Sequence, residues 1–334
     1  MKISFFCKTN KPDSLQLVDF YRQDIEALQE LDPHLVIATK WRQIDWHADI
    51  IFVWWWTYAF IPVLIAKILR KKVVITGTFN YKAPQAAIDY FRRPFYQRCL
   101  IRFSTRWADA NILVSKNEYE AMTREWGYKN LLYSPHGVYT EKYTPSILPR
   151  GDFFFSICWL QKTNVYRKCL YESIEAFKIL LPCYPDLQFW VAGQKGDAWD
   201  ELQQFIVGYG LQDNVKLLGE ISEEEKVDLY QKCFCYIQPS RYEGFGLAIA
   251  EALSCGTPVI TTSAGELGNV VGDAGIILES IEPQEIANKM EQLILGKISV
   301  AELSERARNQ IKTNFSVIER KESLKKIINN ILYK

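Results

Sequence analysis

Two carboxylates eight positions apart, Glu243 and Glu251, bracket a glycine turn in the stretch PSRYEGFGLAIAEALSCGTPVI, residues 239 to 260. Glycines at 244 and 246 let backbone N–H groups and a helix N-terminus approach an anion closely, which is what holding a phosphate requires. On a helix the two glutamate backbones would stand roughly 12 Å apart, so they are poorly placed to share one proton. They suit a long polyhydroxylated ligand, each accepting from hydroxyls at one end while phosphates lie over Gly244, Phe245 and Gly246. Taken singly, either glutamate reads as an ordinary solvated charge; the combination carries the functional reading.

The elements that must position this turn are legible around it. Cys233-Phe234-Cys235-Tyr236-Ile237 is an apolar run of buried-strand length closed by the Pro239-Ser240 breaker. Leu247, Ile249, Ala250 and Leu253 then predict a largely buried helix ending before Gly256-Thr257-Pro258.

Composition bounds the rest. The chain has 334 residues, 48% hydrophobic and 24% charged, with net charge +1. That describes two ordinary globular domains and no global field for nucleic acid. Charge is uneven, with twenty Lys and Arg against fourteen Asp and Glu in residues 1–149 and twenty against twenty-five thereafter. A basic N-terminal half suits an acidic acceptor or an anionic membrane surface, or is an accident of surface composition. Eight cysteines without a CxxC pair predict reduced thiols in a cytoplasmic protein, and three scattered histidines offer no zinc site.

Strand-like runs near 2–7, 34–39, 50–55, 72–77, 110–114 and 131–134 alternate with helical segments and predict an α/β domain with a doubly wound parallel sheet. Ligands of such sheets sit at the carboxyl ends of strands, so Lys8–Leu15, Trp54–Tyr58, Gly77–Lys82, Ser115–Glu118 and Pro135–Tyr139 are the segments to watch. The uncharged run 50–66 has two readings, a membrane span or a strand to Trp56 followed by a helix; Pro62 and the strand Val73–Thr76 favour the second. Trp56 and Tyr58 could offer aromatic faces to a sugar, or pack in the core. Arg98, Arg102 and Arg106 recur at i, i+4, i+8 beside Leu100, Phe103 and Trp107, which fits an interfacial helix on anionic lipid or a solvated helix edge. The pattern restarts at Phe153–Ile157 after a Pro- and Gly-bearing stretch, Tyr143 to Gly151, and the tail from Phe315 predicts an amphipathic helix.

The Glu243-to-Glu251 stretch, with Gly256-Thr257-Pro258-Val259-Ile260 and Gly272-Asp273-Ala274-Gly275, resembles the E-x7-E signature of the family-4 retaining glycosyltransferases over roughly residues 150 to 280. The resemblance implies the GT-B fold: two Rossmann-like doubly wound domains facing a central cleft. Residues 1–147 would bind acceptor, 152–312 would bind the nucleotide sugar, and the helix 315–334 would return to the first domain. It implies a metal-independent retaining transferase without a cofactor, moving a sugar from a nucleotide-diphosphate sugar to a hydroxyl acceptor. Lys168 matches the family lysine that holds the diphosphate, Glu243 would contact the donor sugar and Glu251 the ribose.

The chain departs from the family pattern in three places. Cys158-Trp159 stands where the family has glycine-arginine, so Lys162, Arg167 or Arg241 must supply the missing charge or diphosphate binding weakens. The glycine pair after the first strand is replaced by Lys8-Thr9-Asn10-Lys11-Pro12, and Asn80 stands where a functional histidine often ends a strand. Asn269 occupies the position of a further family glutamate, with Glu266 nearby. Asn80, Trp56, Tyr58 and His136 are the acceptor-side candidates. A catalytically weakened GT-B protein serving as partner of an active transferase is the alternative reading. A peripheral contact with the inner face of a membrane, through Arg98, Arg102 and Arg106, is the alternative to a freely soluble location.

Overall fold

The computed structural model describes residues 1–83 and 89–332, and the chain divides into two units. The first runs from Met1 to Gly137 and resumes at Phe315; the second is Val138–Asn314. Each is built on a six-stranded parallel sheet covered by helices.

In the first unit the strands are β1 (Ile3–Cys7), β2 (Val36–Ala38), β3 (Ile50–Trp54), β4 (Lys72–Gly77), β5 (Ala110–Leu113) and β6 (Leu131–Tyr133), in the order β2-β1-β3-β4-β5-β6. The second contains β7 (Phe153–Ile157), β8 (Gln188–Ala192), β9 (Val215–Gly219), β10 (Cys235–Gln238), β11 (Val259–Thr262) and β12 (Ile276–Leu278), in the order β12-β11-β10-β7-β8-β9. The doubly wound α/β class read from the sequence is therefore what the chain forms. Strands covered on both faces must be apolar on both, and β1, β3, β10 and β11 are buried at every position. Strand order reverses beside β1 in the first sheet and beside β7 in the second, and these switch points are where such sheets bind ligands.

The apolar run 50–66 is strand β3, a short turn at Trp56–Tyr58 and the helix Phe60–Ile68. Among the described residues no helix is long and apolar enough to cross a membrane. The Pro- and Gly-bearing stretch Tyr143 to Gly151 is built into the second unit. Tyr143 is fully buried, the Arg308 guanidinium donates to the carbonyls of Thr140 and Tyr143 at 2.9 and 2.8 Å, and Arg150 donates to the carbonyl of Gly256 at 2.6 Å.

The terminal helix Val317–Leu332 belongs to the first unit, where Leu324, Ile328 and Ile331 join Ile25 and Leu28 of the helix Asp19–Leu31 in one core. A bidentate ion pair crosses this packing: Arg320 Nε and Nη2 donate to the two oxygens of Asp24 at 2.9 and 3.0 Å, with both side chains wholly buried. Nη1 donates to the Ser134 carbonyl at 2.5 Å. Removing one member leaves an uncompensated buried charge, which costs about 3–5 kcal/mol, whereas replacing both with apolar groups costs far less. Arg320→Met should therefore lower unfolding free energy by about that amount in urea titrations, and Asp24→Leu combined with Arg320→Met should recover most of it. Additive losses would show that the pair is not coupled.

Candidate functional site

The switch point of the second sheet lies between β7 and β10, and one side chain spans it. Lys168 Nζ donates to the Ile157 carbonyl at the end of β7 and to Gln238 Oε1 at the end of β10, both at 3.0 Å. The sequence delivers Lys168 there by breaking a helix: Lys162–Arg167 ends at Lys168, Cys169 takes a left-handed φ of 51°, and Leu170–Leu180 begins in a new direction. An ammonium has three N–H donors, so two fixed bonds leave a third for a ligand.

Gln238 joins the predicted residues to one another, and sequence reading missed it. Its buried carboxamide accepts from Lys168 and from the Tyr236 hydroxyl at 2.7 Å, and its Nε2 donates to Ser240 Oγ and Glu243 Oε1, both at 3.0 Å. All four hydrogen-bonding positions of the amide are used. The signal was a polar residue closing an otherwise apolar strand run, immediately before the Pro239-Ser240 breaker.

Glu243 receives Arg167 Nη1 at 2.5 Å on the same Oε1 that Gln238 contacts. Among the described residues its Oε2 is not engaged at hydrogen-bond distance. The backbone of Glu243 is held by the segment after β11: the Glu266 amide donates to the Glu243 carbonyl at 2.9 Å, and Gly265 runs parallel to Glu243. Gly265 sits at φ +68°, and a Cβ there would fall 2.0 Å from the Glu243 carbonyl oxygen, so only glycine fits. Glu266, not Asn269, is the member of this loop that abuts Glu243; Asn269 lies on the short helix Leu267–Val271. Gly244, Phe245 and Gly246 lead into the helix Leu247–Ser254, with Gly246 in the N-cap position at φ 92° and Phe245 buried.

The three cations offered as substitutes for an arginine at Trp159 separate. Arg167 is tied to Glu243 and the Tyr242 carbonyl. Arg241 pairs with Glu172 at 2.5 Å and lies over the Tyr166 ring, and exposed Lys162 pairs with Glu201 at 3.0 Å. Trp159 itself is 60% exposed. Arg167 is thus the substitute cation that the structure ties directly to Glu243.

Glu251 is held from the helix Glu223–Lys232. It is buried on the helix Leu247–Ser254, accepts from the Tyr230 hydroxyl at 3.2 Å and pairs with Lys226 at 3.3 Å. Lys226 also pairs with Glu223 at 2.9 Å. Burial opposes the ionised form of Glu223, but bonds from Lys142 and Lys226 outweigh it and bring its pKa down from 4.5 to about 2.

The acceptor-side candidates fall into two groups. Trp56 and Tyr58 line a cavity of about 290 Å3 at the carboxyl ends of the first sheet's strands, although Trp56 is only 4% exposed and its indole N–H donates to Asn111 Oδ1 at 2.9 Å. Asn80, at φ 59°, and His136 are buried and are not part of that lining. The placement of His136 argues against a surface contact: its ring stacks on Trp54 at 5.9 Å, and burial, helped by Arg320, holds its pKa well below 6.5. The ring packs between Trp54 and Phe20. Lys8, Trp55 and Arg93 line the cavity instead. Lys8 and Trp55 lie in segments singled out by the strand-end rule; Arg93 lay outside them.

Comparison with known proteins matches residues 162–310 to the family model described as glycosyl transferases group 1. That segment is similar to the group 1 glycosyl transferases. An uncharacterized glycosyltransferase of Methanocaldococcus jannaschii is 27% identical over 239 residues, 71% of this chain and 64% of that protein. The O-antigen chain mannosyltransferase B of Escherichia coli is 34% identical over 115 residues, 34% of this chain and 30% of that one. The chain therefore spans less than two thirds of the length of these relatives. The crystal structure of Anabaena HepE in complex with UDP superposes with TM-score 0.80 at 18% identity, covering 99% of this chain and 100% of that one, and the same protein has been solved with UDP-glucose. The two parallel sheets with their helices thus have the GT-B fold.

Gln238→Leu should strand the Lys168 and Glu243 contacts together and lower unfolding free energy by about 1–3 kcal/mol, the cost of unpaired buried polar groups; an unchanged urea midpoint would show that the carboxamide carries none of this. Glu223 has a depressed folded pKa, so its contribution is present above pH 4.5 and is lost as pH falls toward 2. With a half-exposed side chain the effect stays under about 1 kcal/mol. Glu223→Gln should flatten that acid limb of stability measured by thermal melts between pH 2 and 5.

Proposed function

We propose that the chain is a retaining glycosyltransferase that moves a sugar from a nucleotide-diphosphate sugar to a hydroxyl acceptor, with the second unit binding the donor and the first the acceptor. The observation that carries the reading is the Lys168–Gln238–Glu243–Arg167 network at the β7/β10 switch point, inside the segment that matches the glycosyl transferase family.

Transfer requires stabilising a diphosphate as its negative charge grows, and preorganised donors do this without reorganising. The third N–H of Lys168 and the backbone N–H groups of Gly244, Phe245 and Gly246 take that role. Glu243 accepts donor-sugar hydroxyls through Oε2, while Arg167 and Gln238 hold its other oxygen. Glu251, braced by Tyr230 and Lys226, accepts from the ribose hydroxyls. The acceptor proton passes to the departing phosphate, and the reaction uses neither a metal nor a cofactor. The complexes of HepE with UDP and UDP-glucose support a uridine donor.

A membrane-proximal acceptor is supported by the helix Phe95–Trp107. Phe95 is 74%, Tyr96 62% and Trp107 53% exposed, alongside Arg98, Arg102 and Arg106. Each arginine lies over an aromatic ring of its own unit, Phe95, Trp126 and Tyr128 respectively. Eight free thiols support a reducing, cytoplasmic location.

The deciding experiment presents UDP-, GDP- and ADP-sugars to the purified chain, reading thermal shift and transfer to a hydroxyl acceptor library, with product anomers assigned by NMR. Retained configuration, insensitivity to EDTA, a tenfold or greater loss of nucleotide affinity in Glu251→Ala and a fall in kcat in Lys168→Ala are expected. A chain that binds no nucleotide sugar and transfers none leaves the non-catalytic partner as the surviving description. Inversion at the anomeric carbon would refute the retaining course.

A further inference from the structure

We infer that the cavity in the first unit binds the acceptor through a phosphomonoester, with Arg93 and Lys8 gripping the phosphate and Trp55 forming the wall against which the rest of the molecule rests. The inference rests on the transferase reading for the word acceptor and on the first unit's own geometry for the chemistry.

The cavity opens at the carboxyl ends of β1, β3 and β4, beside the first sheet's switch point, where doubly wound sheets bind ligands. At about 290 Å3 it is the size of a small-molecule site. Among the described residues two cations and no carboxylate line it. Arg93 has a buried Nε without a hydrogen-bond partner, and among the described residues its guanidinium makes no ion pair. Asp89, the acid acting on it, already has both oxygens engaged: Oδ2 takes the Ala83 amide at 2.6 Å, and Oδ1 takes the amides of Phe91 and Arg92 at 2.8 and 3.2 Å. Lys8 likewise makes no hydrogen bond or ion pair among the described residues. A half-buried guanidinium left without a partner is costly unless an anion completes it. A phosphomonoester carries close to two negative charges at neutral pH, which two cations balance; a carboxylate or phosphodiester balances one.

Trp55 supplies the independent observation of a built site. Its backbone sits at φ 80°, a genuine outlier for a bulky residue, and such strain persists where surrounding structure forces it and concentrates at binding sites. What forces it is visible: the Trp55 amide donates to the Thr76 carbonyl at 2.9 Å and its indole N–H to the Tyr21 hydroxyl at 2.9 Å. A Cβ on Gly77 would come within 3.1 Å of the indole, so the glycine at φ +132° leaves room for the ring. The ring is thus fixed as a cavity wall, with the Thr57 and Thr78 side chains on the same lining to meet polar groups of the ligand.

The test uses the full chain saturated with UDP, so that the donor half cannot report, and follows phenyl phosphate, methyl phenyl phosphate and inorganic phosphate by calorimetry. Phenyl phosphate should bind at least tenfold tighter than the diester. Arg93→Met and Lys8→Met should each weaken the monoester at least threefold, and Trp55→Leu should weaken phenyl phosphate while sparing inorganic phosphate. Lys8 is exposed and unpaired, so its variant folds and keeps the test sharp should Arg93→Met not. Affinity unchanged in Lys8→Met and Arg93→Met, equal affinity for the diester, or loss only in Lys168→Ala would each overturn the inference. A chain that shows Arg93-dependent monoester binding yet never binds a nucleotide sugar would sink the transferase reading while leaving the phosphate site standing.

Discussion

One buried carboxamide sets the geometry of the donor half. Gln238 closes β10, and because each of its four hydrogen-bonding positions is filled, its neighbours cannot move independently. Lys168 is fixed on one side and Glu243 on the other. The same ammonium also reaches the last carbonyl of β7, so it ties together the two strands between which the sheet reverses direction. A charge placed there is held by both halves of the sheet, which is the preorganisation that stabilising a growing negative charge demands. In a low-dielectric environment a network of this kind is strong only when complete, and here the residues on it bring nearly complementary donors and acceptors.

The carboxylates that bracket the glycine turn differ in kind. Glu243 is gripped on one oxygen by a cation and an amide, and its backbone is fixed by Gly265 and Glu266 from the loop after β11. Glu251 sits eight residues on, in contact with Tyr230 and Lys226. The two anchorages meet where Tyr230 packs on Tyr236, whose hydroxyl donates to Gln238, and this fixes the distance between them, which a ligand binding both ends would need. An arginine at Trp159 would add a second cation near the Lys168 end, whereas Arg167 reaches Glu243 and neutralises it. The charge on that side of the turn is therefore distributed differently from the pattern that the resemblance implies.

Much of this was legible because it rests on local pattern. Continuous apolar runs gave the first parallel sheet and two strands of the second, and the strand-end rule gave Lys8 and the segment 54–58. Glycine spacing gave the turn, and the apolar stripe from Phe315 gave the terminal helix. What escaped was long-range pairing. Nothing in the neighbourhood of Gln238 announces Lys168, seventy positions away, and nothing around Arg320 announces Asp24. The acceptor candidates divided for a related reason, Trp56 and Tyr58 lining the cavity while Asn80 and His136 do not: an aromatic or histidine at a strand end faces either core or solvent depending on a single residue of register. His136 turned inward onto Trp54, while Trp55, inside the strand-end segment but not among the named candidates, lies on the cavity at a positive φ.

The placement of Trp55 shows where the two units differ as ligand sites. In the second unit the polar groups at the switch point satisfy one another, and ligand binding must draw on what remains, one ammonium N–H, one carboxylate oxygen and the turn amides. In the first unit the cations at the switch point make no hydrogen bond or ion pair among the described residues, and the backbone beside them is strained. A native chain close to its stability threshold does not retain an unpaired, half-buried guanidinium and a strained tryptophan side by side without a return elsewhere. Packing and a hydrogen bond hold Trp55, but packing offers little to the cations, since Lys8 is exposed and Arg93 is only half-buried. The return must come from a bound molecule, and the sign and number of the unbalanced charges specify its chemistry more tightly than the satisfied network across the other sheet can specify a donor.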